Sequence, residues 1–132
     1  LKGETPFGFS PEACLEITKK EPLPGVIVLE MKGQLQLGVP CTRLQIAVED
    51  AIQSKQTRVV LDLTNVMKVD SAGLGKIVTC LSALRVAGGA MNLAGPNSMV
   101  VGLLKMTRVD KLVKSFATAQ EAAQNLATPA TS

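Results

Sequence analysis

Hydrophobic positions recur along this chain with two periods, and the switches between them mark out the elements. The run Val26-Ile27-Val28-Leu29-Glu30-Met31 is short and β-branched, predicting a strand that stops at Gly33. Weak alternation over residues 14–20 predicts an edge strand before it, with Pro22, Pro24 and Gly25 as the turn between them. Gly38 and Pro40 open a helix. Its apolar residues Leu44, Ala47, Val48, Ala51 and Ile52 share one face, while Gln45, Glu49 and Gln53 lie off it. Arg58 to Leu63 reads as the next strand, and the unbroken Val59-Val60-Leu61 suits burial in a parallel sheet. After Asp70 a second helix is signalled by Leu74, Ile77, Val78, Leu81 and Leu84, with Gly88-Gly89 as its C-cap pair. Met91 to Ala94 predicts a short strand, closed by Gly95-Pro96-Asn97. A third helix carries Met99, Val100, Leu103 and Leu104 on its apolar side. A last strand around Val113 to Phe116 precedes an Ala-rich helix from Ala119 to Leu126.

Strand, helix and strand from 58 to 94 make a right-handed βαβ unit, because the crossover is long enough for a parallel pair. The alternation as a whole predicts the α/β class. One domain is expected over 14–127. Residues 1–13 form a Gly- and Pro-rich arm, and 128–132 a tail with nothing to bury, expected to be disordered.

Composition then narrows the chemistry. Of 132 residues 46% are apolar, and 14 basic residues against 11 acidic ones leave a net charge of +3. That charge does not argue for nucleic acid or membrane. No His, Trp or Tyr occurs, and the three Phe are Phe7, Phe9 and Phe116. Without His, Ser-His-Asp and Cys-His nucleophiles and most catalytic zinc sites are excluded. With so few aromatics there is no stacking platform for single-stranded nucleic acid. The odd set Cys14, Cys41 and Cys80 lacks CxxC spacing, predicting reduced, buried thiols rather than a disulfide framework or metal knuckle. No apolar run reaches the roughly 18 residues of a membrane span. Leu1 opens no signal-like region, and a trimmed or partial chain is compatible with that start. The expected location is cytoplasmic.

One stretch stands apart: Val69-Asp70-Ser71-Ala72-Gly73-Leu74-Gly75, between a buried strand and an amphipathic helix. Two glycines in a first helical turn each cost roughly 1 kcal/mol against Ala, so something other than helix stability favours them. They permit either close approach by another surface or tight packing on the sheet. Asp70 or Ser71 is the N-cap. Helix N-termini carry free N–H groups and a positive dipole end, so Ser71 places a hydroxyl on a potential anion site. The spacing is neither a dinucleotide fingerprint nor a phosphate-binding Gly-Lys-Ser/Thr loop, and Gly-x-Ser-x-Gly is absent.

The order of strand, D-S-A-G-L-G, amphipathic helix, glycine pair, short strand and the segment Met99 to Asp110 resembles the STAS domain. Within it, the sequence is most similar to the anti-sigma factor antagonists, over about Cys14 to Leu126. The D-S-x-G-L-G motif after VVLDLTNVMKV is the most specific element. The resemblance implies a mixed β-sheet with about four α-helices packed mainly on one face. It also implies a non-enzymatic binding module without cofactor, metal, direct nucleic-acid contact or membrane insertion, a monomer or weak dimer. Its partner would be an anti-sigma factor, a serine kinase of the GHKL type, which the module sequesters to release a sigma factor. The serine phosphorylated in that family falls at Ser71. Partner contact would involve Gln36, Met67, Val69, Asp70, Ser71, Ala72, Gly73, Leu74 and Gly75. Where the family often has Gly-Glu-Leu/Ile-Asp, this chain has Gly33-Gln34-Leu35-Gln36, making the loop near the serine less negative. STAS domains also serve in anion transporters, lipid-trafficking complexes and stress-sensing assemblies, where Ser71 would be only a helix cap.

Other features carry less. Lys105, Arg108, Lys111 and Lys114 face only Asp110, reading as a solvated basic face or an acidic partner's surface. Asp62 and Asp70 flank a loop after the third strand, weak grounds for metal or acid–base chemistry. Met67 and Val69 form a partly exposed apolar rim before the serine. Met31, Met67, Met91, Met99 and Met106 fit core gaps and strand ends.

Overall fold

The apolar run beginning at Val26 becomes the strand that organises a five-stranded sheet. A computed structural model describes residues 15–127. The expected arm 1–13, Cys14 and the tail 128–132 lie outside the described residues. The strands are β1 (Glu16–Leu23), β2 (Val26–Leu35), β3 (Arg58–Val69), β4 (Ala90–Ala94) and β5 (Lys114–Phe116), arranged in the order β1-β2-β3-β4-β5. Edge strand β1 runs antiparallel to β2, and every other neighbouring pair is parallel. The α/β class, the mixed sheet and the parallel pair spanning 58–94 all hold.

The helices are α1 (Val39–Gln53), α2 (Ser71–Val86), α3 (Ser98–Met106) and α4 (Ala119–Ala127), with a 3-10 turn at Val109–Lys111. Crossovers of one hand that step always toward the next strand must leave their helices on one side of the sheet. Accordingly α1, α2 and α3 share the larger core, with Leu44, Val48, Ile77, Leu84, Val100 and Leu104 packed on Leu29, Leu61, Leu63 and Leu93. Helix α4 returns across the opposite face, where Ala122, Ala123 and Leu126 cover Val26, Val28, Val60 and Ala94. Asn92, the one buried polar residue among those described, ties β4 to α4 by donating to the carbonyl of Ala122 and to Asn125 Oδ1, each at 3.0 Å.

Three expectations change. Gly33 does not end β2; the strand continues to Leu35, and Gly33 sits at φ +123° beside a register shift. Glycine there relieves a bulge rather than breaking the strand. Strand β3 likewise runs past Leu63 to Val69. Its pairing with β2 skips a residue between Asp62 and Asn65, and again between Val66 and Lys68, which leaves Met67 unpaired. Finally Met99 and Met106, expected in core gaps or at strand ends, are 61% and 80% exposed at the two ends of α3.

Helix α2 ends as the glycine pair predicts. The Gly89 N–H donates to the Leu84 carbonyl at 2.7 Å and Gly88 N–H to that of Arg85 at 3.0 Å, the two bonds of a Schellman cap.

Candidate functional site

Strands β2 and β3 end side by side, Leu35 paired with Val69, so the β2–α1 loop and the start of α2 meet at one end of the sheet. Asp70 fastens them. Its Oδ1 accepts the Gly73 N–H at 2.8 Å, which makes Asp70 the N-cap of α2. Its Oδ2 accepts the Leu37 N–H at 3.1 Å, and its own N–H donates to the Leu35 carbonyl at 3.2 Å. The Gly73 bond foremost, with further backbone donation from Leu37, Ala72 and its own amide, outweighs partial burial. Together they hold the carboxyl below its ordinary range.

The capping alternative is thereby resolved for Asp70, and Ser71 is left without a cap to make. It is the first residue of α2, exposed, and its hydroxyl makes no hydrogen bond among the described residues. It stands at the positive end of a 16-residue helix.

The two glycines separate. A Cβ on Gly73 would run into the carbonyl oxygen and side chain of Leu35, so this glycine exists to seat α2 on β2. A Cβ on Gly75 would meet nothing within 4 Å, and the residue is exposed. Val69, Gly73 and Leu74, expected to touch a partner, are buried. They hold the surface in place rather than form it. Met67, Ser71 and Gly75 are exposed, and Gln36, Asp70 and Ala72 half-buried. Gln36 is brought to the site as expected, its carbonyl accepting the Cys41 thiol at 3.1 Å.

The rim before the serine consists of Met67 alone, 67% exposed where the bulge turns it outward, because Val69 points into the core. Two neighbours went unforeseen: Leu37, 77% exposed on the loop that Asp70 holds, and Val39, 53% exposed as the first residue of α1. Leu37-Gly38-Val39-Pro40 places apolar residues across the loop and the helix start, outside either hydrophobic period, and that mismatch is the signal available. Asn97 fixes the far side by donating to the carbonyls of Val66 and Met67 at 3.3 and 3.1 Å.

Other candidates disperse. Asp62 flanks no loop: it lies within β3, its Oδ1 accepting the Thr64 N–H at 3.0 Å and hydroxyl at 2.6 Å. No group of three metal-capable side chains occurs among the described residues. Burial pushes the Cys80 thiol up to about 11. Burial, then the Asp70 charge, also raises Cys41 against the opposing pull of Lys76. Both cysteines are buried and unpaired, as expected of structural thiols. No helix of the described residues is long and apolar enough to cross a membrane.

Fold and site together define a small α/β module whose distinctive surface is a serine at a helix N-terminus, with exposed Leu37, Val39 and Met67 on the neighbouring segments. The chain belongs to the STAS domain family, whose model matches residues 18–122. A Thermotoga maritima protein provisionally named an anti-sigma factor antagonist is 31% identical over 78 residues, 59% of this chain and 69% of that protein. The anti-sigma F factor antagonist of Paenibacillus polymyxa is 29% identical over 93 residues, 70% of this chain and 79% of its own length. Among solved structures, an anti-sigma factor antagonist from Mycobacterium paratuberculosis superposes with a TM-score of 0.78 at 18% identity, covering 90% of this chain and 98% of that one. The phosphorylated form of the Bacillus cell-fate determinant SpoIIAA gives 0.66 at 16% identity, covering 83% and 98%. A sulfate transporter family protein of Wolinella succinogenes gives 0.71 at 20%, covering 82% and 89%. At these identities the three structures establish the fold alone.

Proposed function

We propose that the protein is an anti-sigma factor antagonist controlled by phosphorylation of Ser71. It is a binding module rather than an enzyme. Unmodified, it sequesters a cytoplasmic anti-sigma factor, itself a serine kinase of the GHKL type, and so releases a sigma factor for transcription. The observation that carries this reading is the division of labour at the start of α2. Asp70 makes the cap, so Ser71 presents an exposed hydroxyl with no structural bond to lose. The names of the Thermotoga and Paenibacillus relatives support the partner class, and the phosphorylated SpoIIAA structure supports modification on this fold.

Phosphate on Ser71 adds roughly −1.5 to −2 charges beside the ionised Asp70. The helix N-terminus accommodates an anion, so the fold persists while the partner-facing surface becomes bulkier and more negative. The exposed Met67, Leu37 and Val39 supply the apolar contact that this would break. The fold likeness to a sulfate transporter family protein keeps a second reading, a STAS module of a transport assembly in which Ser71 is unmodified.

Intact-mass measurement after incubation with ATP and an anti-sigma factor kinase of the GHKL type from the same organism separates the two. One added phosphate in the wild type, absent from Ser71→Ala, is expected. No phosphate, or phosphate retained by Ser71→Ala, would refute the switch.

A further inference from the structure

At the end of the sheet opposite Ser71, where β3 and β4 begin, a cleft of about 520 Å³ opens between the C-terminus of α2 and the segment leading into β5. Its lining carries Arg58, Arg85, Lys111 and Lys114 against a single carboxylate, Asp110. Four positive groups less one negative give +3, as much as the net charge of the whole chain. The sole ion pair among the described residues is Lys20–Glu30, at 3.1 Å, so none of the four cleft cations forms an ion pair with a described residue. Arg85 is aimed by its guanidinium, which donates to the Leu112 carbonyl at 2.7 Å and clamps α2 to the far wall. Leu112, 45% exposed, adds an apolar side chain to the cleft wall, and Val86, the residue after Arg85 at the end of α2, is 90% exposed.

We propose that this cleft is a docking site for an acidic, partly apolar segment of a second protein partner. Carboxylates of the segment pair with the cations and its apolar side chains cover Leu112 and Val86. Charge complementarity sets the occupant. The chain's own ends do not match it, since residues 1–14 carry one Lys and two Glu and residues 128–132 carry no charge. A compact anion is also a poor fit: the α2 C-terminus, with its partial negative charge, borders the cleft at Gly88 and Gly89. Spaced carboxylates reaching outward cations avoid that end. The 12 residues of β3, from Arg58 to Val69, separate the cleft from Ser71 by on the order of 30 Å. Screening over roughly 8 Å at physiological salt isolates the two charges. A partner held here therefore binds whether or not Ser71 is phosphorylated.

The test is fluorescence anisotropy with a labelled 16-residue peptide of glutamates interrupted by two leucines. Wild type, Lys111→Glu/Lys114→Glu and Ser71→Asp are compared at matched salt, with melting curves confirming that each is folded. The double reversal is expected to weaken binding by about tenfold or more, with affinity falling as salt rises, and Ser71→Asp to leave it unchanged. Equal binding by the double variant would overturn the proposal. So would displacement of the peptide by equimolar inorganic pyrophosphate, which would assign the cleft to a small anion. Self-association in sedimentation, abolished by the double variant, would overturn it in favour of a second copy of this chain.

Discussion

At the scale of single residues, the site turns on Asp70, Ser71 and two glycines that do different things. Asp70→Ala removes the cap of α2 and the anchor of Leu37 together, and a loss of about 1–2 kcal/mol in denaturant unfolding is expected. The bonds favour the carboxylate, whose folded pKa is lowered. Their stabilisation is therefore present above the unfolded value, ~3.9, and drains away as pH falls through the lower folded value. Asn at position 70 has a single acceptor oxygen, so it can keep the Gly73 bond but not the Leu37 bond as well, and it does not titrate. The stability advantage of the wild type over Asp70→Asn should accordingly shrink between pH 7 and pH 3, which melting curves across that range would show. The glycines give opposite signs. Gly73→Ala forces a Cβ onto the Leu35 carbonyl and should cost about 1–3 kcal/mol. Gly75→Ala faces open space and should gain up to about 1 kcal/mol from helix propensity. If Gly75→Ala also weakens partner binding, Gly75 serves close approach; undiminished binding would release it from that role.

At the scale of elements, most of the fold is legible because each element obeys one period. The 44-47-48-51-52 face of α1 and the 74-77-81-84 face of α2 are buried or half-buried as the spacing requires. What escaped was the second half of β3, where burial falls at Leu63, Val66 and Val69. Two bulges convert a period of two into three, and no strand pattern survives that. The same bulge exposes Met67, so the device that hid the strand also builds the site. The capping role of Asp70 was one of two readings, because Asp and Ser cap equally well and only geometry selects between them. Leu37 and Val39 escaped because exposure in a loop or at the first residue of a helix leaves no periodic trace. Their role is open to measurement. Leu37→Ser/Met67→Ser removes two exposed apolar groups, so unfolding should shift by no more than about 0.5 kcal/mol per site. Affinity for the anti-sigma factor should fall by more than about 1 kcal/mol. Lost stability with intact binding would assign the rim to the fold instead.

At the scale of the whole molecule, the parallel order β2-β3-β4-β5 places the α2 N-terminus and its serine at one end of the sheet and the basic cleft at the other. A helix dipole at the first end tolerates added charge, so the proposed switch would act by altering a surface rather than by unfolding a domain. Calorimetric titration of the anti-sigma factor with unmodified, Ser71-phosphorylated, Ser71→Ala and Ser71→Asp protein tests this most directly. Unmodified protein and Ser71→Ala should bind alike. The phosphorylated form should lose about 5- to 150-fold, a coupling of roughly 1–3 kcal/mol, with Ser71→Asp in between and melting temperatures nearly unchanged. Equal affinity for all four, or a phosphorylated form that binds weakly only because it has unfolded, would contradict the account.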